Sequence, residues 1–253
     1  STSDLTVENA ITIDASTEGI LTGGADLLLS ALSLSAGDVT STGGIVSLSG
    51  GGQLSGTGKL EVIGSTWGLG GDFVKSSGTL TTTIDNSTDS KTTLKLEDNS
   101  TLTSDVALSF VTLNLNHKTL TLGSSTSDLT VENAITIDAS TEGISTGEAD
   151  LTVEGDFTLA QGKLESTSGE LIFREGGTQS GSSEFDLGAS ILSLGAGYTK
   201  SGGNLLSSSA TLNLLVDLAI TSDSALSFNQ LNLNNLTLTL GSESSDLQVS
   251  SAL

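Results

Sequence analysis

Short stretches in which apolar and polar residues alternate recur along the whole chain. Examples are Leu94–Leu96, Leu113–Asn116, Leu120–Leu122 and Ile135–Ile137. A period of two places every second side chain on one face, so each stretch predicts a β-strand with one buried face. Gly, Ser, Asn and Asp bound these stretches and favour turns, and no stretch longer than a turn has a helical period. The pattern predicts an all-β chain with almost no helix.

The chain is also an internal repeat with a long period. Ser1–Ile20 recurs without a change as Ser125–Ile144, and Thr103–Ser124 recurs with most positions unchanged as Thr221–Ser242. The last residues, Ser244–Leu253, match the start of both copies. The sequence therefore divides into module 1 (residues 1–124), module 2 (residues 125–242) and the start of a third module (residues 243–253).

A shorter repeat of about 20 residues lies inside each module. Its Gly-x-apolar pattern starts at Gly37, Gly58 and Gly78 in module 1 and at Gly162, Ser183 and Gly203 in module 2. Within each module these positions are 21 and then 20 residues apart. Helical repeat units are longer, whereas about 20 residues suit one turn of a parallel β-helix. The spacing predicts six turns per module, and hence one continuous parallel β-helix, or β-solenoid, of about 12 coils.

The composition favours a stack in which nearly every strand has a neighbour on both sides. The chain contains no Pro, and Pro cannot donate the backbone hydrogen bond that an interior strand needs. Aromatic residues make up only 3% of the chain, so we expect an aliphatic core. The modules differ in length between Leu80 and Thr93, which places the polar segment Thr81–Lys91 on the surface.

The charge excludes several classes of partner. The chain has 30 acidic residues against 8 Lys and Arg, a formal net charge of -22 at pH 7. Such a polyanion repels nucleic acid and anionic membranes, and no apolar run is long enough for membrane insertion. The sequence starts at Ser1 without Met and without a signal peptide, so we expect a mature or excised segment.

The sequence offers few residues for catalysis. The one histidine, His117, is replaced by Asn235 in module 2, so we expect a turn or surface residue instead of a base or metal ligand. Some β-helix proteins cleave polysaccharides with clustered carboxylates, and the candidates are Asp85 and Asp89, which flank a short polar run, and Asp105 and Asp223, which occupy equivalent positions in the two modules. Trp67 aligns with a leucine of module 2 and is expected in the core. We therefore predict no catalytic residue, no resident cofactor and no enzymatic activity.

Two further binding functions depend on short polar patterns. The segment from Asp85 to Asp89 carries oxygen atoms at alternate positions, as calcium prefers, but it lacks the glycine and distal glutamate of an EF-hand loop. If a cation is bound specifically, Asp85 and Asp89 are its candidate ligands. Thr-x-Thr pairs occur at Thr119–Thr121 and Thr237–Thr239, yet an ice-binding solenoid needs such a pair on nearly every coil.

Three segments resemble those of one class of bacterial protein. They are SSGTL at 76–80, SGGNL at 201–205 and LNLNNLTLTLG at 231–241. In composition and period the whole chain is similar to bacterial secreted repeat proteins of the filamentous-haemagglutinin and autotransporter-passenger type. This resemblance implies a right-handed parallel β-helix, in agreement with the handedness of β-crossovers, and an adhesin stalk or cell-surface fibre.

The sequence thus predicts an extracellular or cell-surface structural repeat protein that forms a fibre or stalk by end-to-end stacking of β-solenoid coils. Its expected partner is itself, as a head-to-tail homopolymer or as a covalent continuation of the array, and a host or environmental surface is a second one. Two alternatives remain: a carbohydrate-binding or polysaccharide-cleaving β-helix protein, and an ice-binding solenoid. A groove of paired carboxylates on successive coils would favour the carbohydrate alternative.

Overall fold

The computed structural model describes residues 3–82, 92–242 and 244–251. All regular elements of these residues are β-strands of three to five residues, and none is a helix. The strands are parallel and stack as a β-solenoid of about 11 turns, which confirms the predicted fold class. The chain divides into two compact units, Ser1–Ser127 (unit 1) and Asp128–Leu253 (unit 2).

Unit 1 contains 17 strands among its described residues. They are β1 (Leu5–Val7), β2 (Ile11–Ile13), β3 (Gly19–Gly23), β4 (Leu27–Leu29), β5 (Leu32–Leu34), β6 (Asp38–Ser41), β7 (Ile45–Leu48), β8 (Gly52–Leu54), β9 (Lys59–Val62), β10 (Thr66–Leu69), β11 (Phe73–Lys75), β12 (Thr79–Thr81), β13 (Thr93–Leu96), β14 (Ser100–Ser104), β15 (Leu108–Phe110), β16 (Thr112–Asn114) and β17 (Thr119–Leu122). Every third strand pairs, which gives the sheet orders β1-β4-β7-β10-β13-β16, β2-β5-β8-β11-β14-β17 and β3-β6-β9-β12. Three strands therefore make one turn.

Unit 2 follows the same rule. Its strands are β18 (Leu129–Val131), β19 (Ile135–Ile137), β20 (Gly143–Ser145), β21 (Leu151–Val153), β22 (Phe157–Leu159), β23 (Lys163–Glu165), β24 (Glu170–Phe173), β25 (Gly177–Gln179), β26 (Glu184–Asp186), β27 (Ile191–Leu194), β28 (Tyr198–Lys200), β29 (Asn204–Leu206), β30 (Thr211–Leu214), β31 (Leu218–Ser222), β32 (Leu226–Phe228), β33 (Gln230–Asn232), β34 (Leu238–Leu240) and β35 (Leu247–Val249). Its sheet orders are β18-β21-β24-β27-β30-β33, β19-β22-β25-β28-β31-β34, β20-β23-β26-β29 and β32-β35.

The structure has about 11 turns, one fewer than the sequence repeat predicts, because in module 2, all of whose residues are described, one repeat contains two strands instead of three. Leu80 lies in β12, and the next repeat position, Leu102, lies in β14. The same step in module 2 runs from Leu205 in β29 to Ile220 in β31. Its 15 residues are too few for three strands and three corners. Each module therefore supplies 17 described strands, which are five turns and two strands.

Because a module does not contain a whole number of three-strand turns, equivalent strands of successive modules can lie on different sheets. β18 and β35 are the same strand of module 2 and of the third module. β18 begins the sheet that continues with β21 and β24, whereas β35 pairs with β32. Within unit 2, copies of one strand that are 17 strands apart therefore lie on different sheets, because 17 is not a multiple of three.

Inward-facing side chains form rows that run from turn to turn. In unit 2, Leu151, Leu171 and Leu192 are successive register partners, and all three are buried. Phe157 and Phe173 add a stacked aromatic pair with ring centroids 4.2 Å apart. Aliphatic rows of this kind bury one face of each sheet, so burial of apolar side chains stabilises the stack.

Unit 1 places its large aromatic side chains in the same kind of core. Trp67 is fully buried, and its ring packs edge-on against Phe73 at 4.9 Å and beside Phe110 at 5.9 Å. Its Nε1 has no hydrogen-bond partner among the described residues. Trp67 is thus a core residue, and it is not available as a platform for a sugar.

Acidic residues at the corners connect successive turns. In unit 1, the backbone N–H of Ile45 donates to Asp26 Oδ1 at 2.8 Å. In unit 2, the N–H of Glu170 donates to Asp150 Oδ1 at 2.7 Å, and the N–H of Asp150 donates to Asp128 Oδ1 at 2.9 Å. These carboxylates satisfy backbone donors where the strands begin. Part of the high acid content is therefore structural.

Candidate functional site

The calcium hypothesis depends on Asp85 and Asp89, which lie outside the described residues. In the part of the chain that the structure describes, no group of three or more His, Cys, Asp or Glu side chains is arranged to hold a metal ion. Over the same residues, no helix is long and apolar enough to cross a membrane.

His117 and its module 2 counterpart, Asn235, lie in equivalent exposed turns. Asn116 and His117 have φ values of +50° and +63°, and Asn234 and Asn235 have the same two values. Two consecutive residues with positive φ form a tight turn in which Asn is favoured. The two modules thus share the backbone conformation at this position, but only module 1 has an imidazole side chain there.

Asp105 and Asp223, two of the candidate catalytic carboxylates, each accept a hydrogen bond from a buried lysine. Lys75 Nζ donates to Asp105, and Lys200 Nζ donates to Asp223 Oδ1 at 2.6 Å. The side chains of Lys75 and Lys200 are only 3% and 6% exposed. The hydrogen bond from each ammonium group holds the pKa of its aspartate below the usual range. Each carboxylate thus already forms an ion pair with a lysine of its own unit.

One outward-facing position of unit 2 is threonine on five consecutive turns. The residues are Thr136, Thr158, Thr178, Thr199 and Thr221, and each is the register partner of the next. This row is termed the threonine ladder. Parallel strands lie about 4.8 Å apart, so the ladder presents a hydroxyl at that interval over about 19 Å. Within it, Thr178 Oγ1 donates to Thr158 Oγ1 at 3.3 Å.

A shallow groove of about 290 Å³ follows the middle of the ladder. Thr158, Thr178 and Thr199 line it, together with Asp156 and Glu175. The side chains of Asp156 and Glu175 are exposed and precede neighbouring strands of one sheet, β22 and β25, so they lie on successive turns. The groove with these five residues is termed the ladder groove.

The ladder groove has a negative electrostatic character. No Lys or Arg lies among the residues that line it. The arginine next to Glu175 in the sequence, Arg174, pairs instead with Glu154, at 3.8 Å from Nε to Oε1. Gly177 and Gly197 also line the groove.

The equivalent row of unit 1 has mixed chemistry. Its register partners are Thr12, Ser33, Gln53, Val74 and Thr103. An amide and an apolar side chain interrupt the hydroxyls, and Gln53 Nε2 donates to Ser33 Oγ at 2.9 Å. The uniform ladder is therefore a property of unit 2 and not of the repeat as such.

Unit 1 has a groove of about 370 Å³ at another place in its module. Val7 and Leu28 contribute apolar surface, and Glu8 is the one carboxylate among its lining residues. Ser47 also lines this groove, but its Oγ already donates to Glu97 Oε2 at 2.7 Å. This groove lacks both the hydroxyl row and the two carboxylates of the ladder groove.

Sequence reasoning missed the threonine ladder because its members are 20 to 22 residues apart. The pair Thr119–Thr121 lies within β17 and the pair Thr237–Thr239 at the start of β34, whereas the ladder runs across strands. Its threonines are the central residues of three-residue segments such as Ile135–Ile137 and Phe157–Leu159. At Gly177–Gln179 and Tyr198–Lys200 the flanking residues are not a pair of aliphatic side chains, so the shared position becomes visible only through the strand register.

Comparison with known proteins does not assign this chain to a family. No protein-family model, no curated protein and no solved structure matches this chain. The interpretation as an adhesin-type repeat protein therefore gains no support from similarity, and the functional argument depends on the geometry of the solenoid and of the ladder groove.

Proposed function

We propose that the chain is an extracellular structural repeat protein that forms a fibre or surface stalk by end-to-end stacking of β-solenoid turns. The observation that carries the proposal is the parallel pairing of β35, the first strand of the third module, with β32. This pairing has the same geometry as the pairing of β18 with β21. The repeat thus adds a strand of a new module without a change in geometry, as a growing solenoid requires.

A segment that occurs in two environments supports the same proposal. Ser1–Ile20 and Ser125–Ile144 are identical, yet Leu5 is 40% exposed and Leu129 is 1% exposed. The same segment is therefore compatible with burial between turns, as end-to-end stacking requires of it.

The charge of the chain suits an array on a cell surface. A net charge of -22 keeps separate arrays apart and soluble through mutual repulsion. The apolar contacts that join turns within one stack do not depend on that charge. We therefore expect growth along the stack and not sideways association.

Electron microscopy of the purified chain over a range of concentrations tests the proposal. We expect rods that lengthen as the concentration rises. Leu5→Lys places a charge at an inward position of β1 and should shorten the rods, whereas Thr6→Lys places the same charge at the neighbouring outward position and should not. Short rods of constant length at every concentration would contradict self-stacking and leave covalent continuation as the route to a fibre.

Carbohydrate binding is the second candidate function, and the ladder groove is the observation that favours it. Asp156 and Glu175 lie on successive turns beside a row of hydroxyls. An ice-binding face has to be flat, whereas this groove is concave and flanked by two charges. The same threonines therefore favour a carbohydrate over ice as the ligand.

A further inference from the structure

We propose that the ladder groove of unit 2 binds a neutral polysaccharide whose chain lies along the threonine ladder. The groove belongs to one sheet of unit 2. Its binding function is therefore independent of whether modules stack end to end.

The hydroxyl row provides the first part of the complementarity. A threonine hydroxyl both donates and accepts hydrogen bonds, and a polysaccharide presents hydroxyls of the same kind at a regular interval. Within the ladder, one hydrogen bond joins Thr178 to Thr158, and each hydroxyl still has bonding capacity directed to solvent. A repeating ligand can thus meet Thr158, Thr178 and Thr199 in turn with equivalent contacts.

The two carboxylates provide the second part. Asp156 and Glu175 accept hydrogen bonds, and bonds from a hydroxyl to a carboxylate are stronger than those between neutral groups. Because no Lys or Arg lines the groove, an acidic polysaccharide would be repelled. Charge complementarity therefore selects a sugar chain without acidic groups.

Buried aromatic side chains lie beneath the groove, and a preformed site lowers the cost of binding. Phe157 and Tyr198 lie buried on either side of Gly177 in the strand register. The Tyr198 hydroxyl donates to Gln179 Oε1 at 3.0 Å, and burial raises the pKa of Tyr198 so that it stays a neutral donor. The threonines project from strands that this core holds in place.

Unit 1 indicates that the solenoid itself does not need the ladder. Gln53 and Val74 occupy the register positions that Thr178 and Thr199 occupy in unit 2, within the same kind of parallel sheet. Stacking therefore accepts a long amide or an apolar side chain at these places. A uniform row of threonine is thus not needed for stacking, which supports a role in ligand binding.

Native gel electrophoresis with a soluble polysaccharide in the gel tests the proposal. The probes are a β-glucan, a xylan, a mannan and an α-glucan, each used alone, with polygalacturonate as the acidic comparison. We expect at least one neutral polysaccharide to retard the chain and polygalacturonate not to. The triple variant Thr158→Val, Thr178→Val and Thr199→Val should weaken the Kd by at least roughly tenfold, because three hydrogen-bonding groups are lost.

Two matched variants separate binding from folding. Valine keeps the shape and strand preference of threonine, so the triple variant should unfold at nearly the wild-type temperature. The double variant Ser33→Val and Gln53→Val makes a similar change in the equivalent row of unit 1 and should bind like the wild type. Asp156→Asn with Glu175→Gln should weaken binding if the carboxylates accept sugar hydroxyls.

Four results would overturn the proposal. The first is the absence of retardation by every neutral polysaccharide, and the second is equal loss of binding in the unit 1 double variant. The third is stronger retardation by polygalacturonate. The fourth is inhibition of ice recrystallisation by a chain that no polysaccharide retards, which would assign the ladder to ice. None of these results bears on rod growth, so the fibre function is judged separately.

Discussion

Lys75 and Lys200 bury ammonium groups at equivalent places in the two units, and each depends on one aspartate at the surface. Removing Asp105 would leave the charge of Lys75 buried without a partner, which is more costly than removing the charge itself. We therefore expect Asp105→Ala to lower the melting temperature of unit 1 by roughly 5 °C more than Lys75→Met. The fluorescence of Trp67, which is buried in unit 1, follows the transition. The opposite order would contradict a buried, charged lysine.

The same ion pairs predict a dependence on pH. The hydrogen bonds from Lys75 and Lys200 lower the folded-state pKa of Asp105 and of Asp223. Their contribution is present above the unfolded pKa of about 4 and is lost as the pH falls through the folded pKa. The stability advantage of the wild type over the double variant Asp105→Asn and Asp223→Asn should be constant above about pH 5 and shrink below about pH 4. Urea unfolding at several pH values measures it, and an advantage unchanged down to pH 2.5 would contradict the assignment.

Single residues differ in how far the sequence predicts them. The core position of Trp67 and the turn position of His117 follow from comparing the two modules, because a residue exchanged for Leu or Asn takes the environment of its counterpart. The burial of Lys75 does not follow, because lysine is almost never fully buried without a partner and Asp105 is 30 residues away in the sequence. The threonine ladder is hidden for the same reason, since its contacts join residues a whole turn apart.

At the scale of elements, the corners depend on glycines that pack against the next turn. Gly37 has φ +69°, and a Cβ there would clash with the carbonyl oxygen of Glu18 and lie 2.7 Å from that of Ala15. We expect Gly37→Ala to lower the free energy of unfolding by about 2 kcal/mol or more. Urea unfolding followed by fluorescence checks this. Gly24→Ala is the control, because a Cβ at Gly24 meets nothing within 4 Å and should change stability by about 0.5 kcal/mol at most.

The strands themselves could be predicted well. The alternation at Leu94–Leu96 falls within β13, that at Leu120–Leu122 within β17, and Ile135–Ile137 is β19. The number of strands in each repeat could not be predicted as well. In module 2 the step from Leu205 to Ile220 runs only from β29 to β31, and the repeat spacing alone does not give the number of strands in a step.

At the scale of the whole molecule, a module supplies 17 described strands and a turn needs three. A module therefore does not contain a whole number of turns. Within unit 2, the equivalent strands β18 and β35 are thus displaced by part of a turn. In a longer array made only of copies of module 2, the threonine ladder would recur on a different sheet in each copy and return to the first after three modules. A stalk of this kind would offer its binding row on several sides. The repeat can be predicted from the sequence, but this displacement cannot, because it depends on the number of strands in each module.

The length of tandem arrays shows whether the solenoid grows by stacking turns. Arrays of two, four and six modules can be expressed as single polypeptides and imaged by negative-stain electron microscopy. Each module of 17 strands is five and two-thirds turns, so the account predicts straight rods that lengthen by about 27 Å per module. Constant length, or a string of separate globules that do not lengthen in proportion to the number of modules, would contradict a structural solenoid that grows by stacking turns.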